Sequence, residues 1–171
     1  MKLLLIVFGF FLMSCSSAKV IADYDDTIDF GNFKTFGFYE NVGKDLNELD
    51  VKRILKIIDT TMQQKGLTFS ETPDFFIDFN IEKSAEVARN TVAVGFGNAD
   101  SNSVFGVSGG IPIGSKKIRE VLTIEFLTPI KEELFWNATL ESTVKEKRLP
   151  QEKEIYFQII VPKVLRKYPP K

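Results

Sequence analysis

The stretch that decides the fold is residues 119–145, REVLTIEFLTPIKEELFWNATLESTVK. It predicts two strands, 119–127 and 133–145, joined by a hairpin loop at 128–132. One face of the second strand carries Trp136, Ala138, Leu140 and Ser142, and Phe135 falls on the opposite face. Trp136 is therefore predicted to lie in the core and not to form a platform for a ligand.

Further strands are predicted upstream of this hairpin. Residues 75–81 alternate between apolar and mostly polar positions, which is typical of a strand with one buried face. This strand can continue through 86–94 with a bulge. Residues 34–39 (KTFGFY) predict an earlier strand, and residues 20–22 predict an edge or first strand.

A helix is predicted at 51–65. Its apolar residues fall at i, i+3, i+4, i+7 and i+11 and form one stripe: Val51, Ile54, Leu55, Ile58 and Met62. Asp50 is the predicted N-cap, and Gly66 occupies the position where a left-handed residue ends many helices.

A second helix is predicted at about 151–167, with Pro150 in its first turn. Four residues are expected to face inward: Ile155, Ile159, Val164 and Leu165. Phe157, Ile160 and Val161 would broaden that stripe. Pro162 is expected to kink or interrupt the helix, and a strand at 155–161 is the alternative.

The order of elements is strand, strand, helix, three strands, helix. This order predicts an α+β fold, in which an antiparallel sheet of about five strands carries two helices on one face. Residues 20–171 have the length of one domain, and the 16 phenylalanines of the chain favour sheet and core packing over disorder.

The chain opens with a short apolar leader that ends at its one cysteine. Lys2 precedes an apolar run at 3–13, which is too short for a membrane span of about 20 residues and typical of a secretory signal. Residues 12–15 (LMSC) resemble a bacterial lipobox. They predict a signal peptide at 1–14, cleavage between Ser14 and Cys15, a lipidated Cys15 and a tether at 15–19. A cleaved signal with an incidental cysteine, or a free buried thiol, is the alternative.

The composition excludes several classes of chemistry. The sequence has no histidine, and lipidation would occupy its one cysteine, so catalytic triads, zinc-protease motifs and thiolate nucleophiles are excluded. The formal net charge of −1 offers no basic footprint for nucleic acid. We predict no catalytic residue, no metal site and no cofactor. The mixed-sign run at 145–148 (KEKR) indicates a solvated strand end.

Residues 95–115 form the glycine-richest stretch. A phosphate-binding Walker motif needs lysine directly before serine or threonine, whereas here Ser115 precedes Lys116. We therefore interpret the stretch as a hairpin excursion between strands. Its apolar side chains, Phe96, Phe105 and Val107, make it a candidate partner-binding loop.

Carboxylates occur in two groups. The first group, Asp23, Asp25, Asp26 and Asp29, lacks the spacing of an EF-hand and indicates a solvated turn. The second group lies on strands predicted to be neighbours and consists of Glu82, Glu86, Glu120 and Glu125. Two of these could support glycoside chemistry if they met in a cleft, although the polar face of any sheet gives the same pattern.

Several short motifs resemble a known family. They are residues 23–25 (DYD), 33–36 (FKTF), 65–66 (KG), 73–74 (PD), 134–136 (LFW) and 168–170 (YPP). With the leader, they resemble the bacterial lipoprotein family called domain of unknown function 4136 over nearly all of the mature chain. The resemblance implies an α+β fold and an envelope location, and it transfers no catalytic residue.

These features predict a lipid-anchored protein of the bacterial cell envelope, expected at the outer membrane with its domain outside the cytoplasm. The expected function is a non-catalytic binding or assembly module with an envelope protein as partner. A periplasmic carrier of an apolar ligand and a carboxylate-dependent glycan-acting enzyme are the alternatives. A deep apolar pocket would favour the carrier, and converging carboxylates would favour the enzyme. A filled core with an exposed apolar patch would favour the binding module.

Overall fold

The computed structural model of the chain describes residues 19–85, 91–92, 111–112 and 116–170. Two α-helices lie in these ranges, α1 (Glu48–Gln64) and α2 (Pro150–Leu165), and a short 3₁₀ helix spans Phe30–Asn32. The strands are β1 (Val20–Tyr24), β2 (Thr35–Phe38), β3 (Thr68–Phe69), β4 (Phe75–Ala85), β5 (Thr91–Val92), β6 (Ile111–Pro112), β7 (Lys117–Leu127) and β8 (Leu134–Lys145). Within the described ranges, no helix has the length and apolarity that crossing a membrane requires.

The main sheet has six strands in the order β1-β8-β7-β4-β2-β3. The α+β fold class, the β7–β8 hairpin and the edge position of β1 are confirmed. A wholly antiparallel sheet is wrong, because β2 pairs in parallel with both β3 and β4. Since α1 connects β2 to β3 as a crossover, the chain re-enters the sheet in the same direction.

Helix α1 begins earlier than the sequence predicts. Asn47 is the N-cap and accepts a hydrogen bond from the amide of Leu49 at 3.0 Å. Asp50, the predicted cap, lies inside the first turn, where it is buried between Arg53 and Lys153. The predicted end is confirmed, because Gly66 has a φ of 87° directly after the last turn.

Helix α2 runs continuously through Pro162, so the alternative strand at 155–161 is wrong, as is an interruption at the proline. The expected inward positions of Ile155 and Ile159 are also wrong, because these side chains are 58% and 62% exposed. The inward stripe instead consists of Phe157, Ile160, Val161, Val164 and Leu165. Apolar residues occur all round this helix, so their spacing alone did not single out the inward face.

One core lies between the helices and the sheet. Trp136 is fully buried, as predicted, and its ring centroid lies 4.5 Å from that of Phe126. Phe135, predicted on the opposite face, is also buried, and its ring centroid lies 5.0 Å from that of Phe33. A register irregularity between β7 and β8 near Phe126 and Leu127 accompanies two consecutive buried residues in β8.

Asp74 connects β2 to β4 at the start of the parallel pair. One carboxylate oxygen accepts hydrogen bonds from the amides of Lys34 and Thr35, both at 2.8 Å. The amide of Asp74 donates in return to the Thr35 hydroxyl at 2.9 Å. These hydrogen bonds hold the pKa of Asp74 below its usual value.

Several predictions fall outside the described residues. They concern the signal peptide, the cleavage site at Ser14 and Cys15, Glu86, and Phe96, Phe105 and Val107 of the glycine-rich stretch. Two short strands are described here: β5 precedes the glycine-rich stretch, β6 lies near its end, and the two pair antiparallel. The predicted 75–81 strand is confirmed and extends to Ala85.

Candidate functional site

An open groove runs along the edge of the sheet beside β1. Among the described strands, β1 pairs only with β8. The groove has a volume of about 1000 Å³ and lies between β1 and the C-terminal end of α2. Its lining residues are Lys19, Val20, Ile21, Ala22, Tyr24, Lys163, Arg166, Lys167, Pro169 and Pro170.

The charge of this groove is one-sided. Lys19, Lys163, Arg166 and Lys167 line it, and the described lining residues include no carboxylate. Within residues 19–85 and 116–170, none of these four cations takes part in an ion pair. The groove therefore favours a ligand that carries negative charge.

A smaller groove of about 330 Å³ adjoins the first and shares Lys163 and Arg166 with it. It extends the basic surface to Lys65 at the end of α1. The ammonium of Lys65 donates to the carbonyl oxygen of Tyr168 at 2.7 Å, and partial burial lowers its pKa. This hydrogen bond connects the segment after α2 to the end of α1.

The backbone of β1 is available on the side of the groove. The amide of Asp25 donates to the carbonyl of Phe135 at 2.9 Å, and Ile21 and Asp23 stand opposite Thr139 and Asn137. In an antiparallel ladder the hydrogen-bonded pairs alternate. Val20, Ala22 and Tyr24 therefore direct their N–H and C=O groups away from β8.

A second polar cluster is buried where α2 begins. Glu120 is 1% exposed and accepts a hydrogen bond from Arg148, and Lys83 lies 4.0 Å from the same carboxylate oxygen. The guanidinium of Arg148 stacks 4.6 Å from the ring centroid of Tyr156. Burial raises the pKa of Tyr156 to about 12, so its phenol stays protonated at neutral pH. The cluster joins the sheet to α2, and neither of the two grooves reaches it.

Of the predicted carboxylates, the three that the structure describes do not converge: Glu82 stands opposite Val121 on β7, four positions from Glu125. On β7, Glu120 faces the helices and Glu125 faces the opposite side of the sheet. Glu125 instead has Asp78 as its register partner on β4. Burial, and next the charge of Asp78, raise the pKa of Glu125. Sequence reasoning missed this pair because strand register, which places Asp78 beside Glu125, is not readable from either strand alone.

The aspartates near residue 25 form a capped turn, as predicted. Asp25 accepts hydrogen bonds from the amide and the hydroxyl of Thr27 at 2.9 and 2.7 Å, and these bonds lower its pKa. Asp29 accepts from the amide of Gly31 at 3.0 Å. In the part of the chain that the structure describes, no three potential ligand side chains assemble around a metal position.

The groove itself was not predicted as a site. Its cations come from the two ends of the domain. Lys19 precedes β1, and Lys163, Arg166 and Lys167 lie at or just after the end of α2. The one sequence signal that pointed to it is the predicted edge position of residues 20–22. The basic residues of α2 gave no signal, because their closeness to β1 depends on the tertiary fold.

Comparison with known proteins gives a family and a fold. The family described as "Domain of unknown function (DUF4136)" matches residues 20–170. A search of curated proteins found no significant match. A PDZ domain protein from Parabacteroides distasonis superimposes with a TM-score of 0.58 at 18% identity, over 90% of this chain and 36% of that one. At that identity the likeness shows the fold alone, and this chain spans about a third of that protein's length.

Two crystal forms of the PelC dodecamer from Paraburkholderia phytofirmans are more distant. Their TM-scores are 0.47 and 0.48 at 10% identity, over 87% of this chain and 95% and 96% of theirs. We draw no argument from similarities this weak.

Proposed function

The chain belongs to the family of domains of unknown function DUF4136, and from that premise we propose that it is a lipid-anchored, non-catalytic binding module of the bacterial cell envelope. The anchor would be the acylated thiol of Cys15, and the module would assemble with a protein partner at the outer membrane. The family description names no activity, so the proposal rests on this chain's own sequence and geometry.

The observation that carries the proposal is the position of the open edge strand. Lys19, the first residue of the groove lining, lies only four positions after Cys15 in the chain. Four residues span at most about 14 Å when fully extended. A lipid on Cys15 would therefore hold the free edge of β1 close to the bilayer, where anchoring raises its effective concentration for partners on the same membrane.

The geometry gives less support to the two alternatives. An apolar carrier needs space between helices and sheet, but that space is occupied by buried side chains, among them Phe75, Phe79 and Trp136. A carboxylate enzyme needs two acids in a cleft, whereas Asp78 and Glu125 lie on the face of the sheet opposite the core and line neither groove. We therefore propose the module without an enzymatic activity. The glycine-rich loop with Phe96, Phe105 and Val107 stays a second predicted contact surface.

The proposal is tested in intact cells by metabolic labelling with an alkyne analogue of palmitate, followed by crosslinking and mass spectrometry. We expect the native chain to carry the label and to crosslink to a discrete envelope protein. Cys15→Ala should lose both, because it removes the thiol that carries the anchor. Ser17→Ala is the matched control in the tether and should retain both.

A native chain without the fatty-acid label would contradict the lipid anchor. A labelled chain that crosslinks to no envelope protein would contradict the assembly role. The two parts of the proposal therefore fail separately.

A further inference from the structure

The free edge of β1 can accept another strand. Val20 and Ala22 direct their backbone N–H and C=O groups away from β8, and both residues, together with Tyr24, line the groove. An extended peptide added to a sheet edge gains main-chain hydrogen bonds and places alternate side chains in the adjoining pockets. The amide of Tyr24 is also 3.0 Å from the Asp23 carboxylate, so Val20 and Ala22 offer the freest amides.

The charge of the groove selects among extended segments. An added strand would lie about 4.8 Å from β1, between it and the wall formed by α2 and the prolines that follow. That wall presents Lys163, Arg166 and Lys167, and Lys19 stands at the other side. Acidic side chains on the added strand would complement these cations, and basic ones would be repelled.

We propose that β1 captures an extended, acidic segment of a partner protein, which joins the sheet as a seventh strand. Its backbone pairs with Val20 and Ala22, and its carboxylates contact Lys163, Arg166 and Lys167. This inference rests on the proposed function and names the chemistry of the partner. It differs from simple electrostatic attachment to anionic lipid, which uses the same cations and needs no backbone amide.

Ala22→Pro separates these two modes of binding. Proline removes the outward amide of Ala22 and none of the amides that bond to β8, and edge strands tolerate it for that reason. Ala22→Val is the matched control, because it retains the amide and suits a strand. Thermal unfolding of both variants verifies that each is folded.

The binding assay uses the chain from residue 16, which contains every described helix and strand and needs no anchor. The probe is a fluorescent eight-residue peptide that alternates threonine with glutamate, and the comparison peptide alternates threonine with lysine. We expect the acidic peptide to bind and to slow hydrogen exchange at the Val20 and Ala22 amides. Ala22→Pro should abolish binding, and Ala22→Val should preserve it.

The charge requirement has its own matched pair of variants. Replacing Lys163, Arg166 and Lys167 by glutamine should lower the affinity for the acidic peptide by about tenfold, since each exposed ion pair contributes only modestly to the binding free energy. Replacing Lys44, Lys117 and Lys147 by glutamine changes the net charge equally. It leaves the groove intact and should not alter binding.

Three outcomes would overturn the inference. The lysine peptide could bind as tightly as the acidic one, or Ala22→Pro could bind the acidic peptide unchanged. In the third outcome, the acidic peptide does not bind, while vesicles with 30% phosphatidylglycerol bind the native chain and Ala22→Pro equally. That result would mean that the groove cations bind anionic lipid and not a peptide strand. None of these outcomes bears on acylation of Cys15, so the lipid anchor is judged independently.

Discussion

Arg148 is buried, although the charged residues around it in the sequence predict an exposed position. It ends the charged run at 145–148, which is typical of a solvated strand end, yet its side chain is only 9% exposed. Its neighbours Lys145 and Glu146 do lie in exposed ion pairs with Glu152 and Lys116. Arg148 is buried because Glu120, 28 residues earlier, lies on the inward face of β7 and accepts its hydrogen bond.

Removal of one partner from this buried pair should be costly. We expect Arg148→Met to lower the free energy of unfolding by about 3 kcal/mol, because it leaves the Glu120 carboxylate buried, with the ammonium of Lys83 at 4.0 Å as the one cation still beside it among the described residues. The double variant Glu120→Leu with Arg148→Met should recover most of that loss. Urea unfolding of the single and double variants provides the measurement.

The exposed pair Arg119–Glu141 is the control for this experiment. Both side chains are 53% exposed, so Arg119→Met should cost less than about 1 kcal/mol. An equal cost for Arg119→Met and Arg148→Met would show that burial does not govern the strength of the Glu120 pair.

At the scale of the element, α2 shows why periodicity alone can choose the wrong face. The helix has apolar residues on every side, so more than one stripe satisfies the spacing of three and four residues. Packing against both α1 and β8 selects the stripe that contains Phe157, Ile160 and Val164. Helix α1 has one clear stripe: its buried apolar residues Ile54, Ile58 and Met62 all belong to the predicted set, and the other two members of that set are partly buried.

The neighbouring isoleucines of α2 test this assignment directly. Ile160 is 5% exposed and Ile159 is 62% exposed. Ile160→Ala should therefore lower the free energy of unfolding by about 2–4 kcal/mol through lost burial and a cavity. Ile159→Ala should change it by less than about 0.5 kcal/mol. Urea denaturation measures both, and a reversed order would mean that the inward face is wrongly assigned.

At the scale of the whole molecule, one core joins both helices to the main sheet. Tyr168, after α2, is 3% exposed and its ring centroid lies 4.7 Å from that of Phe126 on β7. The ring centroid of Phe30, which follows β1, lies 5.8 Å from that of Tyr168. The two ends of the domain thus pack together, and this packing also forms the groove beside β1.

A single core predicts a single unfolding transition. Trp136 is the one tryptophan and is fully buried, so its fluorescence reports on the core, whereas far-ultraviolet circular dichroism reports on the helices and the sheet. We expect the two signals to give the same urea midpoint. Separate midpoints would show that an element unfolds independently of the core.

Local sequence patterns are sufficient to predict the α+β class, the β7–β8 hairpin, the core position of Trp136, the apolar stripe of α1 and its end at Gly66. Each of these depends on spacing or backbone preference within a few residues, and such local information is contained in the chain. Long-range packing accounts for the parallel pairing of β2, the inward face of α2, the burial of Arg148 and the meeting of Asp78 with Glu125. The basic groove belongs to the same group, because Lys19 and Lys163 are far apart in the chain and meet only when the sheet edge and α2 pack on a common core.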